Sequence, residues 1–377
     1  MYWQRKPDRV NDTMNLNNTY KLQLPKQGLL SSIMIRISGD EKTGLGSDGS
    51  GWRLIDFISQ IQVVSGSMIL KSLTGFELQA LAVYDQNKVP PGDWRNYATN
   101  TQYETFLINF GRWLKDDQLG LDLSAYDTVE LWITNNMSAA QFTNLAVTVV
   151  EYFMQQGMVS TWPGYLRTEE WKRWTTVADQ WIYSDLPVEL PIRRILLHAW
   201  PVLDGNYVAE TNMFNLMDEV KFMLQTGAIT VFDGSLDYLA REAYLDAPTP
   251  PMVGGWPYIN NGKGIRMDLG YQLYGLVGGG SQAGTIMTID PTIDSARSDY
   301  TQVGYAYQVD HPVGLFGVGM APFNGVQIPC HNYDDPASYL DPNALKTVQV
   351  NIHTHNAASS AGGVNAIVLD RLQKQGS

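Results

Sequence analysis

The sequence predicts an all-β chain made of two tandem, related domains. Three observations predict it. Long blocks of the first half recur in the second, apolar residues in those blocks alternate with a period of two, and 377 residues leave room for two separate cores.

The repeat is clearest at Leu121–Ile133, which lies without a gap on Leu340–Ile352. Val129, Leu131 and Ile133 fall in phase with Val348, Val350 and Ile352, a spacing that places each set on one face of a strand. A longer block runs from Trp52 through Ile61, Val63 and Gly66 to Phe76, Ala80 and Tyr84. Its counterpart runs from Asn212 through Phe222, Leu224 and Gly227 to Leu236, Ala240 and Tyr244. A weaker echo sets Leu24-Pro25 and Ile33, Ile35, Ile37 against Leu190-Pro191 and Ile195–Leu197.

Taken in order, Ile33, Ile35 and Ile37 alternate with Met34, Arg36 and Ser38 and read as a strand. Asp40 to Gly51 holds four glycines and reads as a loop. Ile61–Val64 returns through Ser65-Gly66-Ser67 into Met68–Leu70 as a hairpin. Thr74 then opens a short helix, with Glu77 three residues on at the spacing of a capping box, and Phe76, Ala80 and Val83 on one face. Lys88-Val-Pro-Pro-Gly92 ends it. Strands follow at Tyr103–Phe110, Thr128–Ile133 and Leu145–Phe153. In the second half, a strand ending near Val231-Phe232 leads into helix-like Ser235–Tyr244, and the last strand covers Ala366–Leu369.

Between the halves, residues 157–183 read as a connector. Gly157, Pro163 and Gly164 interrupt it, and Glu169–Trp174 suggests a short amphipathic turn or helix. Residues 1–20 are polar and Asn-rich, with Arg5, Lys6 and Arg9 near Tyr2 and Trp3. They read as an arm, either disordered or ordered on a neighbour or an anionic surface. The domain reading is therefore an arm over 1–20, a first domain over 21–157, a connector over 158–183 and a second domain over 184–377. The offset between copies grows from 160 residues (Phe76 to Leu236) to 219 (Leu121 to Leu340), so the second copy carries 59 more residues. They fall within 245–339, a Gly- and Pro-rich stretch that reads as surface loops.

Composition narrows the function classes. Charged residues make up only 17%, against the roughly 25% of ordinary soluble domains, while the chain holds 20 Tyr and 11 Trp. A polar surface with few charges fits a protein that buries much of itself against neighbours, and equally an extracellular β-domain. The net charge of −12 argues against general nucleic-acid binding, which draws its affinity from clustered Lys and Arg. A single cysteine, Cys330, excludes an intramolecular disulfide. No run approaches the length of a transmembrane helix, and the N-terminal segment lacks the apolar stretch of a secretory signal.

Candidate chemistry is sparse. His353 and His355 stand two apart, so on a strand both imidazoles share a face. With His311 or His331, beside Asp310 or Asp334, they could form a cupin-like metal set. Val348, Val350 and Ile352 already define the inward face, however, so surface histidines are expected instead. His198 reads as a packed residue. The acidic pairs Asp116-Asp117, Glu169-Glu170 and Asp334-Asp335 are adjacent, and adjacent side chains on extended backbone point apart. Glycosidase chemistry needs carboxyl groups about 5–9.5 Å apart across a cleft. A glycan-binding or glycan-active β-sandwich stays open as an alternative to a structural role. Phosphate-loop and nucleophile-elbow motifs are missing, and no catalytic, cofactor-binding or metal residue is assigned.

Two β-rich halves in tandem, each with a short helix after a hairpin, resemble the double jelly-roll major capsid proteins of icosahedral, tailless viruses. That lineage includes internal-membrane phages and adenoviruses. The resemblance rests on Gly28–Ile37 with Trp52–Tyr84, Leu121–Phe153, Leu190–Trp200 with Asn212–Tyr244, and Leu340–Leu369. It implies two tandem eight-stranded jelly rolls, a pseudo-hexagonal homotrimer, and a virion location after assembly in the host cytoplasm. Implied partners are neighbouring capsomers, penton and minor capsid proteins, with no enzyme activity and no specific nucleic-acid binding. The loops of 245–339 and 85–102 would face outward, and the arm at residues 1–10 would face neighbours or an internal membrane.

Overall fold

The computed structural model describes residues 2–42, 54–88, 90–91, 101–155, 163–200, 213–246, 321–330, 335–355 and 363–375, and the backbone of short strands within 252–318. The chain divides into two compact units. Unit 1 comprises Met1–Leu45, Gly51–Glu169 and Asp370–Ser377, and unit 2 comprises Gly46–Ser50 and Glu170–Leu369.

Unit 1 contains β1 (Tyr2–Thr13), β2 (Thr19–Gln23), β3 (Leu29–Glu41), β4 (Ile58–Ser65), β5 (Met68–Leu73), α1 (Gly75–Gln86), β6 (Thr101–Asn109), β7 (Leu121–Asp122), β8 (Glu130–Asn135) and β9 (Phe142–Gln155). One sheet runs β1-β9-β3-β6, with the two-residue β7 beside β3. The other runs β2-β8-β4-β5. These are the two four-stranded sheets of a jelly roll.

Next come β10 (Gly164–Thr175), β11 (Gln180–Asp185), β12 (Ile192–Trp200), α2 (Met213–Leu216), β13 (Met217–Leu224), β14 (Ile229–Ser235) and α3 (Leu236–Asp246). Seven short strands follow: β15 (Met252–Gly255), β16 (Tyr258–Ile259), β17 (Leu276–Val277), β18 (Met287–Ile289), β19 (Val303–Tyr305), β20 (His311–Pro312) and β21 (Gly314–Val318). The chain then forms β22 (Gly325–Pro329), α4 (Pro342–Leu345), β23 (Val348–Thr354) and β24 (Val364–Lys374). Strand order is β10-β24-β12-β22 in one layer and β11-β23-β13-β14 in the other. Leaving out β7 and the seven short strands, both halves follow the same plan. The first strand lies beside the eighth, then the third and sixth; the second lies beside the seventh, then the fourth and fifth.

The repeat read from sequence is a repeat of register with one shift: Ile61 and Val63 match Val220 and Phe222 rather than Phe222 and Leu224, because the β13–β14 hairpin is two residues longer than the β4–β5 hairpin. In unit 1, Ile61 and Val63 of β4 pair with Ile133 and Leu131 of β8. In unit 2, Val220 and Phe222 of β13 pair with Ile352 and Val350 of β23. All eight are buried, each contributing about 1.5–3 kcal/mol of transfer free energy. Even the irregularities recur. Ser59 is the extra residue where β4 slips against β8, and Asp218 is the extra residue where β13 slips against β23. Likewise Leu70 is extra in the β4–β5 hairpin and Val231 in the β13–β14 hairpin. Bulges set the local twist and aim of side chains, so the two halves share bend as well as order.

The helix expected at Thr74 is α1, with both halves of its capping box formed: Thr74 Oγ1 accepts from the Glu77 N–H, and the Glu77 carboxylate accepts from the Thr74 N–H. Pairing of Ile33 with Ile108 and of Ile195 with Ile328 shows the repeat offset already at 220 by the sixth strand (328 against 108). The added residues therefore lie between α3 and β22.

Two expectations are corrected. Residues 2–13 form no arm: β1 pairs antiparallel with β9 from Tyr2↔Gln155 to Thr13↔Ala146. Its side chains alternate without an apolar set because the strand lies at a sheet edge. Residues 158–183, read as connector with a helical turn at Glu169–Trp174, hold the strand β10 and most of β11. The charges that suggested a helix are matched across strands and along the strand, as described below.

Candidate functional site

Strand register places His353. Val348, Val350 and Ile352 face the core and are buried, so His353 lies on the other face of β23, as the sequence reading expected. It pairs with Trp181 of β11 and Glu219 of β13, next to the bulged Asp218. Nδ1 lies 2.7 Å from Asp218 Oδ1, Nε2 lies 3.4 Å from Asp179 Oδ1, and the Trp181 ring centroid is 5.1 Å away. Both ring nitrogens thus face carboxylates, which orients the imidazole as a structural bridge between strands. At the matching position of unit 1, Thr134 Oγ1 lies 2.9 Å from Thr19 Oγ1, and the bulged Ser59 donates to the Thr134 carbonyl at 3.1 Å. His355 follows the end of β23, where its N–H bonds the Leu216 carbonyl. Among the described residues no group of three or more His, Cys, Asp or Glu could hold a metal ion. The side chains of Asp310, His311, His331 and Asp334 lie outside the described residues. His198 is buried, its Nε2 3.1 Å from the Phe323 carbonyl oxygen. Cys330 packs against the core of unit 2, and burial pushes its thiol up to about 12.

The acidic neighbours part as expected of adjacent residues. Asp116 is buried and accepts from Arg112 Nε at 2.7 Å, Arg112 Nη2 at 2.8 Å and the Arg112 and Gln118 backbone N–H groups, while Asp117 is exposed. Glu169 engages Arg167 and Arg371, and Glu170 engages Arg173. These are structural ion pairs rather than a catalytic couple.

The contrast between the halves lies at strand edges. In unit 1, the start of β10 runs parallel to β5, with Thr168 beside Lys71 and Glu169 beside Ser72. Lys71 Nζ donates to Thr168 Oγ1, and Thr168 donates to Asp370 Oδ1 at 2.7 Å. A Cβ on Gly164 would come within 2.4 Å of the Gln373 carbonyl oxygen, so only glycine admits that approach. The cover is nearly complete, for Leu70 is fully buried and Lys71 is 6% exposed. In unit 2 the equivalent strand, β14, ends its sheet, with no neighbour on its outer side among the described residues. Ile229 is 44% and Val231 53% exposed.

A second open edge belongs to β1, where Tyr2 and Val10 are exposed. Beneath it Glu151 of β9 is fully buried, 3.7 Å from Lys6 Nζ. Neither of its carboxylate oxygens has a hydrogen-bond partner among the described residues. Burial pushes the carboxyl up to about 7, with Lys6 opposing. Sequence reading missed Glu151, Lys71 and Asp370. The available signal was an acid next to strand-forming apolar runs, Val147–Val150 in one case and Ile367–Leu369 in the other.

No family model and no curated protein matches the sequence. Solved structures do match over nearly the whole chain. The crystal structure of the STIV MCP is similar with a TM-score of 0.60 at 9% identity, covering 100% of this chain and 97% of that one. The atomic structure of Sulfolobus Turreted Icosahedral Virus gives 0.61 at 10%, covering 99% and 91%. The major capsid protein P2 from Bacteriophage PM2 gives 0.50 at 11%, covering 99% of each chain. The likeness is one of fold: the double jelly roll.

Proposed function

We propose that this chain is a major capsid protein whose homotrimers, pseudo-hexagonal in outline, tile an icosahedral virion shell. The observation that carries the reading is the repeated strand plan with its matching bulges. Two like modules per chain give a trimer six like corners, which suits a sixfold lattice position without six identical chains. The fold shared with capsid proteins over almost the full chain supports the same reading, as do the low charge and high Tyr content of a protein that buries surface against copies of itself.

Neighbouring capsomers, penton and minor capsid proteins at the vertices, and assembly in the host cytoplasm belong to this proposal. Membrane contact through an N-terminal arm has lost its premise, because residues 2–13 are a strand. The net charge of −12 supports a shell that does not hold nucleic acid through this chain. Light scattering on the purified chain tests the reading, the expected mass being three chains. Electron microscopy of the source material should show polyhedral particles built from it. A stable monomer and particles lacking the chain would overturn the reading.

A further inference from the structure

The two halves have the same strand edges, and they differ in which edges are covered. The second strands, β2 and β11, end their sheets in both halves, and so do the sixth strands, β6 and β22. The fifth and first strands break this equality. The fifth strand of the first half, β5, carries the first strand of the second half, β10, along its edge. Among the described residues that leaves one fifth strand, β14, and one first strand, β1, without a neighbour on that side.

From this mismatch we infer that β1 of one copy lies parallel along β14 of the next, as β10 lies along β5, joining the chains head to tail. The inference rests on the trimer reading and names its contact. Register follows from matched features. The shared bulge makes Lys71 the counterpart of Phe232 and Ser72 the counterpart of Asp233. The first strand meets a buried acid of the last strand in both halves, Lys6 with Glu151 and Thr168 with Asp370. Lys6 therefore corresponds to Thr168, and Pro7 to Glu169. Since Thr168 pairs with Lys71 and Glu169 with Ser72, Lys6 stands opposite Phe232 of the next copy and Pro7 opposite Asp233.

The chemistry agrees with that register. Where β5 supplies the cation, Lys71, the first strand supplies a hydroxyl, Thr168. Where β14 supplies apolar Val231 and Phe232, the first strand supplies its own cation, Lys6. One lysine serves one buried acid at each junction, but from opposite strands. Asp233, 51% exposed on its side chain and 3.4 Å from Lys221 Nζ, adds a carboxylate on the face of Pro7, where Arg5 of β1 also lies. Pro7 has no N–H to give, so the new ladder is short; the β5–β10 ladder itself spans only two residue pairs. Contact of this head-to-tail kind closes into a ring when the rotation permits, with β5–β10 and β14–β1 pairs alternating around it.

The test is a paired-cysteine experiment on the full chain. Pro7→Cys and Asp233→Cys are placed together in one chain, and separately in two chains that are mixed. Cys330→Ser is included in every chain, so that no native thiol competes for the link. Under mild oxidation the double variant should give a covalent trimer, and the mixed single variants a covalent dimer, with each single variant alone remaining uncrosslinked. Wild-type protein supplies a second readout that needs no substitution. Amide hydrogen exchange read by mass spectrometry should show the Ile229–Ser235 amides protected in the trimer and unprotected in the monomer obtained by dilution. A trimer by light scattering that gives neither the link nor the protection overturns this inference and leaves the trimer reading standing. Links formed only within one chain also overturn it. A monomer overturns both.

Discussion

Leu70 and Val231 are the same residue of the same bulge in two copies of one hairpin, yet Leu70 is fully buried and Val231 is 53% exposed. The backbone pairing is equal, so the difference comes from what lies on the outer edge. Leu70→Ala is expected to cost about 2–5 kcal/mol of stability, the usual range for a buried leucine. Val231→Arg should change the stability of an isolated chain by no more than about 0.5 kcal/mol, as at an ordinary surface site, but should abolish the proposed trimer. Urea denaturation and light scattering on the two variants check both halves of this expectation.

Glu151 supplies a pH dependence. Its carboxyl is raised from an ordinary value of 4.5 to about 7 by burial, so the fold favours the protonated form. The corresponding stability is fully present below about 4.5 and is lost as pH rises through about 7. A displacement of this size is worth on the order of 3 kcal/mol. Glu151→Gln, which keeps the shape of the protonated acid, should be more stable than wild type at pH 8 and nearly equal to it at pH 4.5. Denaturation at the two pH values, taken as the difference between variant and wild type, isolates this group.

Removing one member of the Arg112–Asp116 pair leaves the other charged and enclosed. Asp116→Ala is expected to cost about 3–5 kcal/mol, the usual penalty for stranding a buried ion. The loss also frees the backbone N–H groups of Arg112 and Gln118. A thermal melt that moves by less than a degree would contradict this account.

At the start of α1, Thr74→Ala removes one half of the capping box and should cost about 1 kcal/mol. Thr74→Ser keeps the acceptor and should restore most of it. Equilibrium unfolding of the three proteins decides.

The duplicated inner sheets were legible because buried strands must alternate. Val129, Leu131 and Ile133 announced β8, and Val348, Val350 and Ile352 announced β23, to the correct register. Edge strands carry no such obligation. Tyr2–Thr13 places Arg5, Lys6, Asp8 and Arg9 on a strand with one partner and an open side, so no period marks it. In β10, the Glu170–Arg173 spacing imitates a helix, and that ion pair does form, but along a strand. Pairing with β24 outweighed the local pattern. His353 was placed on the correct face, while its carboxylate neighbours depend on a bulge that alternation does not reveal.

The Thr168–Asp370 hydrogen bond spans 202 residues of sequence, and this has a consequence in time. A ribosome delivers β5 and the start of β10 long before it delivers the acid that completes their polar chain. Arrival of residues 370–375 seals it, with Arg371 reaching Glu169 and Gln375 reaching Gly120. A polypeptide ending before residue 370 would lack all three contacts, so the first module is complete only once the last strand has been made.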